Sequence, residues 1–351
     1  MIKGLSITPP VVGRISIGKV VERNGKRLPQ KDDGFTITTQ VQNQEGWILH
    51  PLDEQLRSGN ATHLNANNQN QANTGKSKLR SIPVKVLFND PDLNLRADYC
   101  LFDRKTGRAE CVGNGETCRR QTAQGVETLP CPSPDQCQYN QGCNCKPYGR
   151  LNVVIDAAPN TSNTSNGTQP PIDELGSFVF RTTGYNSIRT LAARLRYLAA
   201  VSGGHLSTLP LEMKLRAKST TQSHRAPIFY ADLVVRSGMS LAEAITHAKQ
   251  DAQAKKEVGM DQQALDEAAR LGLANGMFED ASDEGLGVME EFYPEGDVEG
   301  ETTALPANSK RSARTPSLAH KLEIKAKAVD ANHQGFADHV QSNQPAIQGA
   351  V

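Results

Sequence analysis

Apolar and polar side chains alternate through most of the first 235 residues. Val11, Val12, Ile15, Ile17, Val20 and Val21 are punctuated by Gly13, Gly18 and Gly25, which predicts short strands joined by turns over residues 1–50. FTITTQVQ from Phe35 has the alternation of a half-buried strand, and Asp32, Asp33 and Gly34 before it predict a turn. Trp47, Ile48, Leu49, Leu52 and Leu56 fit a short amphipathic helix. Residues 57–80 are rich in Asn and Gln with scarcely an apolar side chain, so they read as a polar insertion with no structure of its own.

The pattern returns at IPVKVLFND, where Val84, Val86 and Phe88 alternate. YCLFD and RAECV, separated by Lys105, Thr106 and Gly107, predict a β-hairpin that leads into a cysteine-rich segment. GRLNVVIDA and GSFVFRTT are two more strands, with a second polar insertion at 159–171 between them. In NSIRTLAARLRYLAAVSGG the period changes from two to 3.6: Ile188, Leu191, Ala192, Leu195 and Leu198 share a face. Asn186 or Ser187 would cap this helix and Gly203 would end it, with Arg189, Arg194 and Arg196 on the solvated side. PLEMKLRAK and PIFYADLVV add two strands. The expected fold is α+β: a β-rich mixed domain with one main helix packed on the sheet, a cysteine-rich zinc loop and a C-terminal tail that is helical or disordered.

Beyond residue 235 the character changes. Ser240 to Leu273 predicts one or two helices whose packing face is mainly alanine. Glu279 to Glu301 is acidic without a lysine or arginine, and the chain then turns basic at Lys310, Arg311, Arg314, Lys321, Lys325 and Lys327. The organisation expected is a domain over 1–235, a helical extension over 236–275 and a flexible acidic-then-basic tail over 276–351.

Composition narrows the function. A hydrophobic content of 37% and an aromatic content of 5% in 351 residues leave part of the chain without a packed core, and a net charge of +1 gives no global field to draw in DNA or a membrane. No long apolar run marks a secretory leader or a membrane span, so a cytoplasmic location is expected. Six of the seven cysteines fall within 111–150, a stretch with four prolines, several glycines and few aliphatic side chains. Such a segment cannot order itself by burial, and in a reducing compartment clustered cysteines are more often metal ligands than bridges. A structural zinc ion would supply the missing free energy. Cys131, Cys137 and Cys145 are the first candidates, with Cys143 as a second choice at the last position and Cys118 or Cys111 as the fourth ligand. Cys100, in ADYCLF, reads as a buried small hydrophobe.

No phosphate-binding glycine loop, dinucleotide fingerprint or hydrolase triad occurs, and the eight histidines are scattered. The expectation is therefore a non-enzymatic protein without a small-molecule substrate or membrane partner. An alternative is a zinc-containing nucleic-acid-binding module that sets Arg119, Arg120 and Arg150 on phosphates, with Tyr139 and Tyr148 as the stacking candidates. A metal-dependent hydrolase ranks below both, since thiolate-rich ligation favours a closed site.

Several segments, in order, carry a resemblance. IKGLSITPPVVGRISIG, IPVKVLFND, Cys118-Arg119-Arg120, Cys131-Pro132, CKPYGRL at 145–151 and LGSFVFRTTGYNSIRTLAARL from Leu175 together resemble the phage recombination-directionality-factor-like proteins. The resemblance runs from about residue 1 to 235. It implies an accessory protein of a phage or other mobile element that binds a serine integrase on DNA, so that excision replaces integration, and that meets DNA through the integrase complex. It also implies Cys118, Cys131, Cys137 and Cys145 as ligands of a structural zinc ion.

Overall fold

The computed structural model describes residues 10–23, 26–43, 46–65, 78–140, 145–157, 176–221 and 225–272. The chain starts with β1 (Val11–Arg23), β2 (Lys26–Asn43) and β3 (Gly46–Leu49), followed by helix α1 (Pro51–Asn65). Next come β4 (Ser81–Val86), a single helical turn α2 (Pro91–Asn94) and the run β5 (Leu95–Phe102), β6 (Ala109–Gly113), β7 (Thr117–Thr122) and β8 (Gly125–Pro130). β9 (Lys146–Ile155), β10 (Ser177–Thr182), helix α3 (Tyr185–Ser202), β11 (Leu211–Ser219) and β12 (Pro227–Val235) follow. Two helices, α4 (Leu241–Glu257) and α5 (Gln262–Gly272), close the described part. All of it lies within one compact unit, Met1–Glu299, while the second unit, Gly300–Val351, and the predicted acidic and basic tail fall outside the described residues.

The fold is α+β, with one large mixed sheet. Its order is β3-β2-β1-β10-β9-β5-β6-β7-β8, and β4 carries β11 and β12 away from β9. Only β1 and β10, among these pairs, run parallel; the other ladders are antiparallel. β9 is the junction. One of its edges takes β10, the other takes β5 along Lys146–Leu151 and β4 along Val153–Ile155. A strand paired on both edges and covered on one face must be apolar on that face, which is why Leu151, Val153 and Ile155 are buried with Ile15, Ile37, Phe178 and Phe180.

Helix α3 lies on this face, as its spacing predicts: Ile188, Leu191, Leu195 and Leu198 are buried. It comes so close to β9 that a Cβ at Gly149 would sit 2.9 Å from the Ile188 side chain. Gly203 ends the helix in the left-handed region (φ 65°), but the N-cap is Gly184, one turn position earlier than Asn186 or Ser187. Ser187 is instead turned inward, where its hydroxyl accepts the Ala231 N–H at 3.1 Å and ties the helix to β12. Arg194 is not simply solvated either. With Arg216 it holds the buried carboxylate of Asp232, at 3.0 and 3.2 Å.

Near the N-terminus the structure departs from short strands and turns. β1 and β2 are long, and the register shifts between Ile17 and Lys19: only Gly18 (φ 90°) separates them on β1, whereas Lys31 to Gly34 separate their partners Gln30 and Phe35, so the bulge is on β2 and does not end the strand. Asp32, Asp33 and Gly34 lie inside β2, where Asp33 binds Lys78 and Arg80 and Phe35 donates to the Leu79 carbonyl. The register gives these three residues no partner on β1, so the expected turn chemistry appears as a bulge within the strand. Trp47 to Leu49 form β3 rather than a helix, and Pro51 starts α1, consistent with its fixed φ suiting the first helical position. Asp53 fastens that helix by accepting the Ile37 N–H (2.9 Å) and Arg57 (2.6 Å). α1 also runs into the insertion expected at 57–80, whose residues 66–77 lie outside the described set, as do 159–171. Among the described residues no helix is long and apolar enough to cross a membrane.

Candidate functional site

The first half of the 111–150 segment is strand where an irregular loop is expected. β6, β7 and β8 form a meander, and Gly125 (φ 119°) makes the tight turn of the β7–β8 hairpin. Few of its side chains are buried, but register explains the site it builds. Cys111 is paired with Arg120 and Gly113 with Cys118, while on the other edge of β6 Leu101 faces Cys111 and Tyr99 faces Gly113. The pleat therefore puts Tyr99, Leu101, Cys111, Gly113, Cys118 and Arg120 on one face.

After β8 the chain folds back over that face. The Cys131 N–H donates to the Glu116 carbonyl at 2.8 Å, and Ser133 takes a positive φ of 85°, uncommon for a residue with a Cβ. This reversal brings Cys137 and Tyr139 above β7. Cys111, Cys131, Cys137 and Cys145 line one cavity, together with Tyr99, Leu101, Arg120 and Tyr139. Cys118 packs behind it with Leu101, Cys111 and Cys131, its sulfur 3.7 Å from the Pro130 carbonyl. The four expected ligands Cys118, Cys131, Cys137 and Cys145 are thus brought together, and Cys111 joins them. Cys143 lies outside the described residues. Cys100 is fully buried beside Phe102 and Tyr148, as expected of a small hydrophobe, and burial holds its thiol well above the ordinary range.

Burial and mutual repulsion disfavour thiolates in the cluster. Burial, followed by a hydrogen bond and repulsion from Cys111, pushes the Cys118 thiol up to about 11. Burial and the charges of Cys111, Cys131, Cys137 and Cys118 push Cys145 up to about 12. Arg120 is the nearest compensation. Its Nη2 donates to the sulfurs of Cys118 and Cys137, each at 3.9 Å, and its guanidinium lies 4.0 Å from the centre of the Tyr139 ring. Burial lowers the Arg120 pKa, but the bond and charge of Cys111 and the charges of Cys118 and Cys137 leave it raised. Among the described residues no three Cys, His, Asp or Glu side chains stand in ligating geometry. In kind, however, a set of converging sulfurs suits a thiophilic ion such as zinc.

These contacts bear on three of the five residues of the phosphate-binding alternative, while Arg119 is partly exposed and Tyr139 exposed. Arg120 contacts sulfur and Tyr139, Arg150 is 2% exposed and Tyr148 is fully buried, so these three do not offer a phosphate-binding or stacking surface. Cys111, already an alternative for the fourth ligand from its place in the sequence, lies with the set, whereas Arg120 as a thiol partner was legible only through strand register: it is two residues from Cys118, hence on the same face.

Gly113 sets the spacing of the cluster. A Cβ there would lie 2.6 Å from the Cys131 sulfur and 2.7 Å from the Cys118 Cβ. Gly113→Ala is expected to cost about 1–3 kcal/mol in urea unfolding, because the neighbour is the root of a short side chain on a paired strand. An unchanged midpoint would show that the sulfurs can move aside.

Residues 12–236 match the Gp3-like family, described as recombination directionality factor-like. The chain belongs to that family. The matched region of this Gp3-like protein runs from β1 through the thiol cluster to the residue after β12, so the meander and the fold-back over it lie within the family domain, whereas α4 and α5 lie beyond it. No curated protein and no solved structure matches the chain.

Proposed function

We propose that this protein is a non-enzymatic accessory factor of a phage or related mobile element, which binds a serine integrase and changes the direction of recombination. The observation that carries the reading is the family match over residues 12–236. Directionality requires no bond chemistry from this chain. A factor that binds one synaptic arrangement more tightly than the other shifts the balance by that difference, and a preference of about 3–5 kcal/mol reverses a two-state outcome. The partner surface is proposed to be the family domain, and DNA is met through the integrase complex.

We further read the thiol cluster as a structural zinc site within that surface. The support is convergence: Cys131, Cys137 and Cys145 line one cavity, with Cys111 beside them and Cys118 behind. Bound zinc would stabilise thiolates that burial and mutual repulsion otherwise disfavour. Arg120 and Tyr139 would then orient and cover the sulfurs, and the chain between β8 and β9 would be fixed for presentation to a partner.

The deciding experiment mixes the purified protein with the serine integrase of the same element and DNA carrying either the integration or the hybrid attachment sites. Recombination of the hybrid sites is expected only when the protein is present, and integration is expected to fall. An integrase that neither binds the protein nor changes its product would remove the proposal. Salt dependence of binding to random duplex DNA, measured alongside, separates direct phosphate contact from recruitment through the integrase.

A further inference from the structure

Helices α3 and α4 differ in what they turn outward. α4 is made to face water. Ser240 and Glu243 form a reciprocal cap, Lys255 and Lys256 complement the dipole in the last turn, and Gln253 and Lys255 reach Glu257 and Asp251 along the same helix. α3 has none of these devices. It carries three arginines and no Asp or Glu, so no ion pair can form within it, and its N-cap is Gly184, without a side-chain hydrogen bond.

The outward residues of α3 are Tyr185, Arg189, Ala193, Arg196, Tyr197 and Ala200, all exposed. Steps of three and four place them on one ridge, away from the buried stripe of Ile188, Leu191, Leu195 and Leu198. Tyr185 and Tyr197 are 58% and 54% exposed, although a tyrosine ring carries much apolar area. Arg189 has no ion pair among the described residues. Arg196 meets Asp92 at 3.4 Å with both side chains largely in water, a contact worth little. Beside the ridge, Arg194 and Arg216 share the carboxylate of Asp232 through their Nε atoms, which fixes two half-exposed guanidinium groups around one negative charge.

Exposed tyrosine and arginine, with alanine between them and no lysine or carboxylate, is the composition of a protein interface rather than of a solvated helix side. Ala193 and Ala200 leave room for close approach, and the tyrosines supply rigid contact area. The surplus of positive charge asks for carboxylates opposite. A nucleic-acid backbone fits less well, because Asp92, its side chain 78% exposed beside Arg196, would repel phosphates.

We infer that the outer ridge of α3 is the surface on which the integrase docks, setting two of its carboxylates, about 10 Å apart, on Arg189 and Arg196, which stand two helical turns from each other. This surface refines the directionality role proposed above and rests on it. Affinity of the full chain for the serine integrase of the same element tests it, with urea midpoints to confirm that each variant is folded. Arg189→Glu with Arg196→Glu is expected to weaken binding about a hundredfold, the scale of losing two anchor residues. Lys249→Glu with Lys256→Glu makes the same change of charge, at the same spacing, on exposed positions of α4 and is expected to leave the affinity nearly unchanged. A ridge variant that binds as tightly as the unaltered chain would overturn the docking surface. Equal weakening by the α4 pair would overturn it as well, since net charge alone would then be at work. Should the reversal unfold the chain, Tyr185→Ala with Tyr197→Ala removes two exposed rings and no charge; about tenfold weaker binding upholds the ridge, and unchanged binding rejects it. Loss of binding to random duplex DNA with integrase affinity intact would assign the ridge to phosphates and reject the docking surface. An unaltered chain that does not bind integrase removes the directionality role and this surface together, whereas failure of the ridge variants alone leaves that role standing.

Discussion

Cys131→Ser is expected to take the protein from about one bound zinc ion per chain to about none, and to release the segment from β6 to the start of β9 while the rest of the sheet stays folded. Cys131 is buried, lines the shared cavity and is the residue at which the chain turns back over β6 and β7. A serine hydroxyl is a poor zinc ligand, so the loss falls on an ion worth on the order of 10 kcal/mol to a segment with little apolar surface. Metal analysis and hydrogen exchange read the two effects separately. Protection is expected to collapse across residues 111–140 and to persist in β10 and α3. The comparison of Cys111→Ser with Cys118→Ser then assigns the fourth ligand: the replacement that leaves metal bound identifies the sulfur that only packs. A Cys131→Ser protein with full metal content and an ordered meander would end the zinc reading without touching the directionality proposal.

Phe180→Ala is expected to cost about 3–5 kcal/mol of global stability, a large share of what a domain of this kind possesses. Phe180 is 1% exposed on β10, opposite Ile15 on the parallel side and Leu151 on the antiparallel side. Its ring is therefore shared by the N-terminal strands, the central strand and α3. A cavity there cannot close by moving one loop, because every wall belongs to a paired strand or a packed helix. Urea unfolding gives the answer as a shift of the midpoint. A cost below about 1 kcal/mol would mean that the surrounding side chains collapse into the space. Unlike the cysteine replacement, this change should loosen β10 and α3 together with the rest.

How much of this could be read in advance depended on whether a segment's order is written in its own neighbourhood. The α3 stripe from Ile188 to Leu198 and the β5–β6 hairpin around Gly107 are local patterns, and both were legible. α4 begins at Ser240 with a reciprocal hydrogen-bonded cap to Glu243, a signal four residues long. By contrast, β7 and β8 have mainly polar side chains of which only Cys118 is buried, so periodicity cannot separate them from a loop; their order comes from the pairing of β7 with β6 and of β8 with β7. Asp32 to Gly34 form a bulge within β2 and not a turn that ends it, because β1 pairs with the chain on either side of them. For the thiols, spacing along the chain suggested the set, Cys111 among the alternatives, but only the register of β6 and β7 reveals that Arg120 belongs with it. Arg96, Arg150 and Arg181 are the extreme case, since they become register neighbours only when β5, β9 and β10 align.

The parallel seam between β1 and β10 bears on how the chain is made. Val11 pairs with Ser177, so the first strand leaves the ribosome 166 residues before its inner neighbour. At ordinary synthesis speeds that interval is on the order of ten seconds, during which the β1–β2 ribbon has one edge unmatched and its apolar face, with Ile15 and Ile37, uncovered. Nascent chains stalled before β10 should therefore bind chaperones avidly and resist proteases poorly, and both properties should change abruptly once Thr182 and then α3 have emerged.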